Sequence, residues 1–413
     1  MTHKLGEVSD QDLLRLADLA VSVGANVQPG QIVGVTAELE HKDFARALAA
    51  RAYERGAKFV DVWYVDPLVK RARIEFAPED TLDYVPPWYG ARVLELGEQR
   101  GANIMVRGTT APGVLDGLDP KRIGRDQLPR VKETNTVINE RTVNWTIVAY
   151  PTLPWARLCY PQLDDDAALA RLWREVEHVS RLDEPDPLEA WEARIDSLER
   201  AGEAMNDAGL DAVHFEGEGT DLTIGLFPTS TWRMARWSTV DGIRHLPNVP
   251  SEEVFTSPDP ARVEGRVRST KPLVLTDGTL VRGLEVRFEQ GRAVEITADE
   301  GAEVLRGRAQ LDEGACRLGE VALVDRESRI GQLGTVFYET LLDENAASHI
   351  ALGAGFSWAV ESEEDRARIN QSAVHIDFMI GSDEVDVTGI TNDGARIPVL
   401  RGGVWQLSPV HAA

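Results

Sequence analysis

The first half of the chain alternates between helical and extended patterns of hydrophobic residues. Apolar positions predict the following elements in order: a helix at 9–27 capped by Ser9 or Asp10, a strand at 32–35, a helix at 41–56, and strands at 59–65, 103–106 and 142–150. Helices that connect successive strands are typical of a parallel sheet covered on both faces. No GxGxxG or GxxxxGK[ST] motif follows these strands, so this half is predicted to be a scaffold rather than a nucleotide site.

The pattern changes after a polar segment with two prolines at 180–188, which is the best linker candidate. A long helical pattern at 188–208 comes next. Beyond it the chain consists of short alternating segments separated by glycine turns, which indicate antiparallel strands. Two dipeptides between such segments, Asp277 with Gly278 and Gln290 with Gly291, are hairpin signals.

These patterns predict two domains. The first is an α/β N-terminal domain with a parallel sheet over residues 1–185. The second is a β-rich α+β C-terminal domain over residues 186–413, with one helix near 359–369. A length of 413 residues agrees with this division, because chains of this size seldom build a single hydrophobic core.

Composition narrows the classes of partner and compartment. The chain has 68 acidic and 44 basic residues, a net charge of −24, which argues against nucleic-acid and membrane partners. Two distant cysteines, Cys159 and Cys316, give no disulfide framework and no zinc-ribbon spacing. No secretory leader and no apolar run of about 18 residues is visible. A cytoplasmic protein is therefore predicted.

Five candidate metal ligands lie in separate short strands or turns of the second half: Glu253, Glu320, His349, His375 and Asp377. Three carboxylates and two imidazoles are the right kind and number to hold two divalent cations that share one carboxylate. Such a site favours hydrolysis, with a peptide bond as the predicted target.

Each of these residues also has an ordinary structural interpretation. His375 and Asp377 fall on one face of an apolar strand, where they could form a hydrogen-bonded core pair instead of binding metal. Glu320 could face solvent at a strand end, and Glu253 could be exposed beside Glu252. His349 could cap a helix or lie in the core. Their joint presence in one β-rich half, without a comparable cluster elsewhere, favours the metal site.

Four longer segments identify a family. They are NVPSEEVFTSPDPARVEGRVRSTKPL at 248–273, RLGEVALV at 317–324, FYETLLDENAASHIALG at 337–353 and SAVHIDFMIGS at 372–382. In this order they closely resemble the thermophilic metalloprotease family of aminopeptidases, which includes the aminopeptidase T, S and II types. The segments GTDLTIGL and WTIVAYPTLPWA extend the resemblance over nearly the whole chain.

The resemblance implies a metallo-aminopeptidase that removes N-terminal residues from peptides by means of metal-activated water. It implies an N-terminal α/β domain, a C-terminal domain with two divalent ions (zinc, cobalt, manganese or magnesium) in a secluded cavity, and a homodimer. Carried over residue by residue, the implied ligands are the same five: Glu253, Glu320, His349, His375 and Asp377. Glu320 or Glu253 would be the catalytic carboxylate that moves a proton to the leaving amine.

One position departs from the family pattern. The family typically has HxALGxAY, with a tyrosine that is thought to assist catalysis, whereas this chain has HIALGAGF and therefore Phe356. Loss of one oxyanion donor typically lowers the rate by about 10²–10³. Either another group replaces the phenol, with Tyr338 as one candidate, or the activity is weak or redirected.

Two alternative functions stay open at this point. His349, His375 and Asp377 also form the two-histidine, one-carboxylate set of non-haem iron oxygenases, and some relatives of the fold are ring-cleaving dioxygenases. Retention of both Glu253 and Glu320 argues against a single iron. The second alternative is a catalytically weak, metal-containing protein that binds peptides.

Overall fold

The computed structural model describes residues 10–126, 128, 132–234, 236–275 and 279–408. The chain forms two compact units, the first comprising Met1–Trp191 with Arg236–Ser251 and the second comprising Glu192–Ala235 with Glu252–Ala413. The predicted boundary at 185/186 lies close to the first crossing point. The return of 236–251 to the first unit has no counterpart in the local sequence pattern.

The helices α1 to α13 have these bounds: Asp10–Leu19, Lys42–Glu54, Pro67–Phe76, Pro87–Glu98, Pro120–Arg125, Lys132–Asn139, Leu153–Cys159, Asp165–Val179, Pro187–Asp207, Ala302–Arg308, Arg329–Leu333, Thr340–Asp343 and Glu363–Arg366. A π-helical turn extends α1 at Ala20–Gly24, and 3-10 turns occur at Leu39–His41, Glu79–Thr81, Glu344–Ala346 and Ser357–Ala359.

The strands β1 to β22 have these bounds: Ile32–Glu38, Phe59–Val65, Ala102–Arg107, Asn144–Ala149, Leu210–Gly217, Thr220–Leu226, Arg233–Met234, Trp237–Ser238, Arg244–His245, Asn248–Val249, Glu253–Thr256, Pro258–Arg268, Leu273–Val274, Leu280–Val281, Glu285–Glu289, Arg292–Thr297, Leu318–Val324, His349–Gly353, His375–Met379, Asp386–Thr391, Arg396–Arg401 and Val404–Trp405.

The first unit contains the predicted parallel sheet. Its strands lie in the order β10-β4-β3-β1-β2, and every pairing among them is parallel. Helix α2 connects β1 to β2, as the alternation of patterns predicts. The apolar residues Val33, Val35 and Ala37 of β1 are buried, whereas the residues between them are only partly covered. The short strand β10 joins one edge of this sheet from a distant part of the sequence.

The second unit is built from antiparallel sheets, which agrees with the predicted β-rich half. The larger sheet has the order β16-β15-β12-β6-β5-β20-β21-β22, and a five-stranded sheet has the order β19-β18-β17-β11-β7. Gln290 and Gly291 turn between β15 and β16, so this predicted hairpin is confirmed. The Asp277–Gly278 signal lies outside the described residues, as does Ser9.

The five-stranded sheet is the part of the fold that positions the predicted ligands. Every residue of β17 and of β18 is buried, so both faces of these strands are covered. Gly353 ends β18 with φ +108°, and a Cβ atom there would lie 2.1 Å from the Val374 carbonyl oxygen. Glycine therefore permits the start of β19 to approach β18 closely.

One predicted element is wrong in extent. The segment 359–369 was expected to be a helix, but only Glu363–Arg366 is helical, capped by the Ser362 hydroxyl. Val360 instead forms an isolated bridge with Ser230, and Ile369 packs in a buried cluster with Phe227 and Val360. Tertiary contacts thus override the helical spacing. Among the described residues, no helix is long and apolar enough to span a membrane.

Candidate metal centre

Four neighbouring strands bring the five predicted ligands together. Glu253 begins β11, Glu320 lies in β17, His349 begins β18, and His375 and Asp377 lie in β19. The antiparallel register pairs Glu253 with Val324, Glu320 with Ala351, and Ala351 with Asp377 across the sheet. Residues that are distant in sequence, from Glu253 to Asp377, therefore meet on four neighbouring strands.

The first group of possible ligand atoms comprises Glu253, Glu320 and His349, which lie within 4.8 Å of one another. His349 Nε2 lies 3.1 Å from Glu253 Oε2. These residues are 8%, 5% and 1% exposed. The structure therefore excludes the interpretation of Glu253 and Glu320 as solvent-facing glutamates, and His349 lies in a buried strand rather than at a helix cap.

The second group comprises Glu320, His375 and Asp377, whose ligand atoms also lie within 4.8 Å of one another. His375 Nε2 lies 3.1 Å from Glu320 Oε2 and 3.2 Å from Asp377 Oδ1. The contact between His375 and Asp377 that the core-pair interpretation predicts is thus present, but His375 also contacts the Glu320 carboxylate. Glu320 belongs to both groups, which is the arrangement that a shared carboxylate requires.

The backbone orients both imidazole rings. His349 Nδ1 lies 3.1 Å from the Ala347 carbonyl oxygen, and His375 Nδ1 lies 2.8 Å from the Ala354 carbonyl oxygen. A carbonyl can only accept, so Nδ1 carries the proton and donates it in each ring. The Nε2 atoms then face the carboxylates and, while the rings are charged, donate to them. Backbone carbonyls that accept from Nδ1 orient metal-binding histidines in the same way.

The cluster has the electrostatics of a cation site. Burial opposes the charged form of His349, but Glu253, Glu320 and Asp377 outweigh it and raise its pKa to about 10. Burial also opposes the charge on His375, yet Asp377 and Glu320 raise its pKa well above the ordinary value. Burial raises the pKa of Glu320, whereas His375 lowers that of Asp377 despite burial. Without cations, the rings therefore hold protons in the place where cations would balance the carboxylates.

Glu344 is a further carboxylate of the cluster that sequence reasoning missed. It lies in the 3-10 turn before β18, and burial raises its pKa well above the ordinary value, reinforced by Asp377 and Glu253. The charge on His349 lowers the pKa of Glu344 but does not outweigh burial. Glu344 lies within the family segment at 337–353 but is not among the five predicted ligands. Four carboxylates against two imidazoles fit two divalent ions in the number of charges and in donor chemistry.

Phe356 lies beside the second group. Its ring centroid is 5.3 Å from that of His375, 5.6 Å from that of Phe255 and 5.5 Å from that of Trp358. The Phe356 backbone N–H donates to Ser257 Oγ at 2.8 Å, and Ser257 Oγ donates to the Phe356 carbonyl at 3.3 Å. An apolar ring therefore stands next to His375 at the position where the family pattern has a phenol.

Tyr338, the candidate replacement for that phenol, lies in the loop before the Glu344 turn. It has a φ of +55°, and the N–H groups of Phe337 and Glu339 on either side donate to the buried Asp343 carboxylate at 2.8 and 3.1 Å. A tyrosine in the left-handed region is uncommon and indicates a loop held by its surroundings. Its role as a donor stays a prediction.

The remaining histidines that the structure describes have ordinary settings. His41 Nε2 lies 3.0 Å from the Gly108 carbonyl, and burial lowers the pKa of His41 to about 4. Burial likewise lowers the pKa of His245 to about 4. His178 pairs with Asp183 at the surface, and His214 contacts Thr223. His3 and His411 lie outside the described residues.

Comparison with known proteins places this geometry in a family. The family model described as thermophilic metalloprotease (M29) matches residues 9–405. Aminopeptidase T of Thermus aquaticus is 44% identical over 403 residues, covering 96% of this chain and 98% of that protein. Aminopeptidase AmpS of Bacillus subtilis is 38% identical over 405 residues, with the same coverage of both chains.

A solved structure titled wild-type AmpT from Thermus thermophilus matches the fold with a TM-score of 0.89 and 42% identity, covering 96% of this chain and 99% of that one. The predicted enzyme class, a metallo-aminopeptidase among the hydrolases, is therefore confirmed. A match over nearly the full length and the clustered acidic and histidine residues lead to one conclusion: the chain belongs to the thermophilic metalloprotease family M29.

Proposed function

We propose that this protein removes N-terminal residues from peptides at a dinuclear metal site. The observation that carries the proposal is the pair of ligand groups joined by Glu320, one with Glu253 and His349 and the other with His375 and Asp377. Two ions that share a carboxylate are a recurring arrangement in aminopeptidases.

The donor set suits the chemistry. When bound, two divalent ions would lower the pKa of a water molecule so that it can attack the scissile carbonyl, which they would also polarise. Imidazole nitrogen beside carboxylate oxygen favours zinc, cobalt or manganese over magnesium, which prefers oxygen ligands and bound water. Glu344 adds a fourth carboxylate to the charge around the two ligand groups.

The chain's own residues would manage the proton and the substrate amine. Glu320 and Glu253 each present a buried carboxylate beside an imidazole, and either can accept a proton and donate it to the leaving amine. With two divalent ions bound, the carboxylate charges would be balanced, so the peptide's free α-amine would bind to an ion as a neutral amine rather than as an ammonium group. An aminopeptidase requires recognition of this amine.

The alternative functions have less support. A mononuclear iron bound by His349, His375 and Asp377 would leave Glu253 and Glu320 buried against the two rings without a cation of their own, at a desolvation cost. The alternative of a protein that binds peptides without turnover is favoured only by Phe356, because the side chain at that position supplies no hydroxyl. The homodimer and the cytoplasmic location stay predictions.

The proposal is tested by metal content and by activity together. We expect two ions per chain, and release of N-terminal residues from aminoacyl fluorogenic substrates that a chelator abolishes and zinc or cobalt restores. His375→Ala should lose activity and one ion. His214→Ala is the matched control, because His214 lies in the other sheet of the same unit and contacts Thr223. Full activity with unchanged metal content in His375→Ala would overturn the assignment.

A further inference from the structure

A buried arginine contacts two residues that adjoin the ligand strands and has no role in the chemistry described above. Arg194 of α9 has a side chain only 6% exposed, between the carboxylates of Glu252 and Asp325, which are 0% and 3% exposed. Its Nε donates to Glu252 at 2.6 Å, and its two Nη atoms donate to both oxygens of Asp325 at 3.1 and 3.0 Å. A buried ion triad is a poor means of stabilising a fold, since desolvation offsets most of its attraction.

Both carboxylates adjoin a metal-site strand. Glu252 directly precedes Glu253 at the start of β11, and Asp325 directly follows Val324 at the end of β17. Val324 is the register partner of Glu253 in the antiparallel pair. The planar guanidinium therefore joins the start of β11 to the end of β17, next to Glu253 and its register partner Val324.

Glu252 is also hydrogen-bonded to the 3-10 turn that contains Glu344. The Glu252 backbone N–H donates to Asn345 Oδ1 at 2.7 Å, and both residues are 0% exposed. Asn345 is held in turn, because its Nδ2 donates to the Leu341 carbonyl at 3.1 Å and its own carbonyl accepts from Ser328 Oγ at 2.7 Å. A displacement of Glu252 would thus be transmitted to the residue next to Glu344.

We propose that Arg194 is a positioning residue that sets Glu253 for the ion held by Glu253, Glu320 and His349. The inference rests on the proposed dinuclear function and adds which of the two positions the arginine controls. The ion at His375 and Asp377 is affected less, because those ligands lie on β19, at the opposite edge of the sheet from β11 and β7. Lysine could not replace the three simultaneous hydrogen bonds of the guanidinium fork.

The expected effect is a selective loss of metal affinity. Second-shell partners of metal ligands typically contribute about 10–100-fold to affinity, so one of the two binding steps should weaken by that factor. A residue that only stabilised the fold would leave both steps unchanged in any folded variant, or would weaken both together. The ratio of the two affinities therefore separates positioning from general stability.

A variant that tests Arg194 must not leave buried carboxylates without an opposite charge. Arg194→Met alone would leave two buried carboxylates without the charge that balances them, and this variant could fail to fold. The combined variant Arg194→Met, Glu252→Gln and Asp325→Asn removes all three charges, and the new asparagine retains an oxygen for the Trp405 indole N–H, now 2.6 Å from Asp325. Arg194→Lys is a second variant that retains the charge without the fork.

The matched control removes another arginine–aspartate pair of the same unit. Arg262→Met with Asp211→Asn breaks the pair that joins β12 to β5, which belong to the eight-stranded sheet and carry no predicted ligand. Zinc affinities are measured by competition with a chelator, and cobalt-loaded protein gives a visible d–d spectrum for each site. We expect the control to bind both ions as the natural chain does.

The outcomes decide the inference as follows. In the triple variant, selective weakening of the ion that is lost in His349→Ala, with a smaller change of the same sign in Arg194→Lys, supports positioning, whereas selective weakening of the other ion would overturn it. Unchanged affinities, or equal weakening of both ions, would overturn it, and Arg194→Lys alone decides if the triple variant does not fold. If the natural chain binds a single ion, the dinuclear function fails. In that case a loss of affinity in the Arg194 variants but not in the control supports the inference, and an unchanged affinity, or an equal loss in the control, overturns it.

Discussion

The His349 imidazole should release a proton when a divalent ion binds at the first ligand group. In the ion-free chain, His349 Nε2 lies 3.1 Å from Glu253 Oε2, and that carboxylate with its neighbours outweighs burial and raises the pKa of His349 to about 10. The ring is therefore charged at neutral pH. A cation and a proton cannot share the same Nε2 lone pair, so binding and protonation compete.

The free-energy cost of removing this proton is set by the difference between the pH of the experiment and the pKa of His349. With the pKa of His349 at about 10, the competition at pH 7 amounts to about 4 kcal/mol, or roughly 10³ in apparent affinity. Apparent affinity for this ion should rise about tenfold per pH unit from pH 6 to 9. An unperturbed imidazole, with a pKa of about 6.5, would instead give a flat profile above about pH 7.

Two measurements check this expectation. Zinc affinity is measured by chelator competition between pH 6 and 9, and the ring of His349 is followed in the ion-free protein by NMR, with His349→Ala assigning the signal. The NMR titration separates the imidazole proton from any proton lost by water. A His349 ring that is neutral at pH 8, or an affinity that does not change between pH 7 and 9, would refute the reasoning.

Three further predictions concern the same cluster. The ion-free chain should lose stability as pH rises from about 6.5 through about 10, because the raised pKa of His349 contributes stability only while the ring is charged; thermal unfolding at stepped pH measures this. Glu320→Ala should lower the affinity for both ions, seen as metal content below one ion per chain, and retention of two ions would contradict a shared ligand. Phe356→Tyr should raise kcat, by as much as about 10² if the phenol acts as an oxyanion donor, whereas an unchanged kcat would indicate that another group supplies that donor.

Local pattern predicted the first four strands and three of the first nine helices, but not the helices between residues 67 and 179. The predicted strand 59–65 has the bounds of β2, and the predicted helices at 41–56 and 188–208 correspond to Lys42–Glu54 and Pro187–Asp207. Apolar strands that are separated by helices are typical of a parallel sheet, so their arrangement could be predicted from local pattern. The expected helix near 359–369 failed, because Val360 and Ile369 bury their side chains in a tertiary cluster rather than along one helical face.

Glu344 and Arg194 show where reading the sequence reached its limit. Both are ordinary charged residues in their local context, one in an acidic turn and the other in an amphipathic helix. Their importance arises from burial beside residues that are distant in sequence, such as Glu253 for Glu344 and Asp325 for Arg194. No spacing rule within a segment encodes that proximity.

The sequence by itself determined the ligand types, the strands that bear them and the family motifs in which they lie. Only the tertiary structure decided that β11, β17, β18 and β19 are neighbours, with Glu320 common to both ligand groups. The physical reason is that side-chain alternation along a strand is a local property of the backbone, whereas strand order and register depend on hydrogen bonds and burial between distant segments. The charge of each ring likewise depends on carboxylates contributed by other strands.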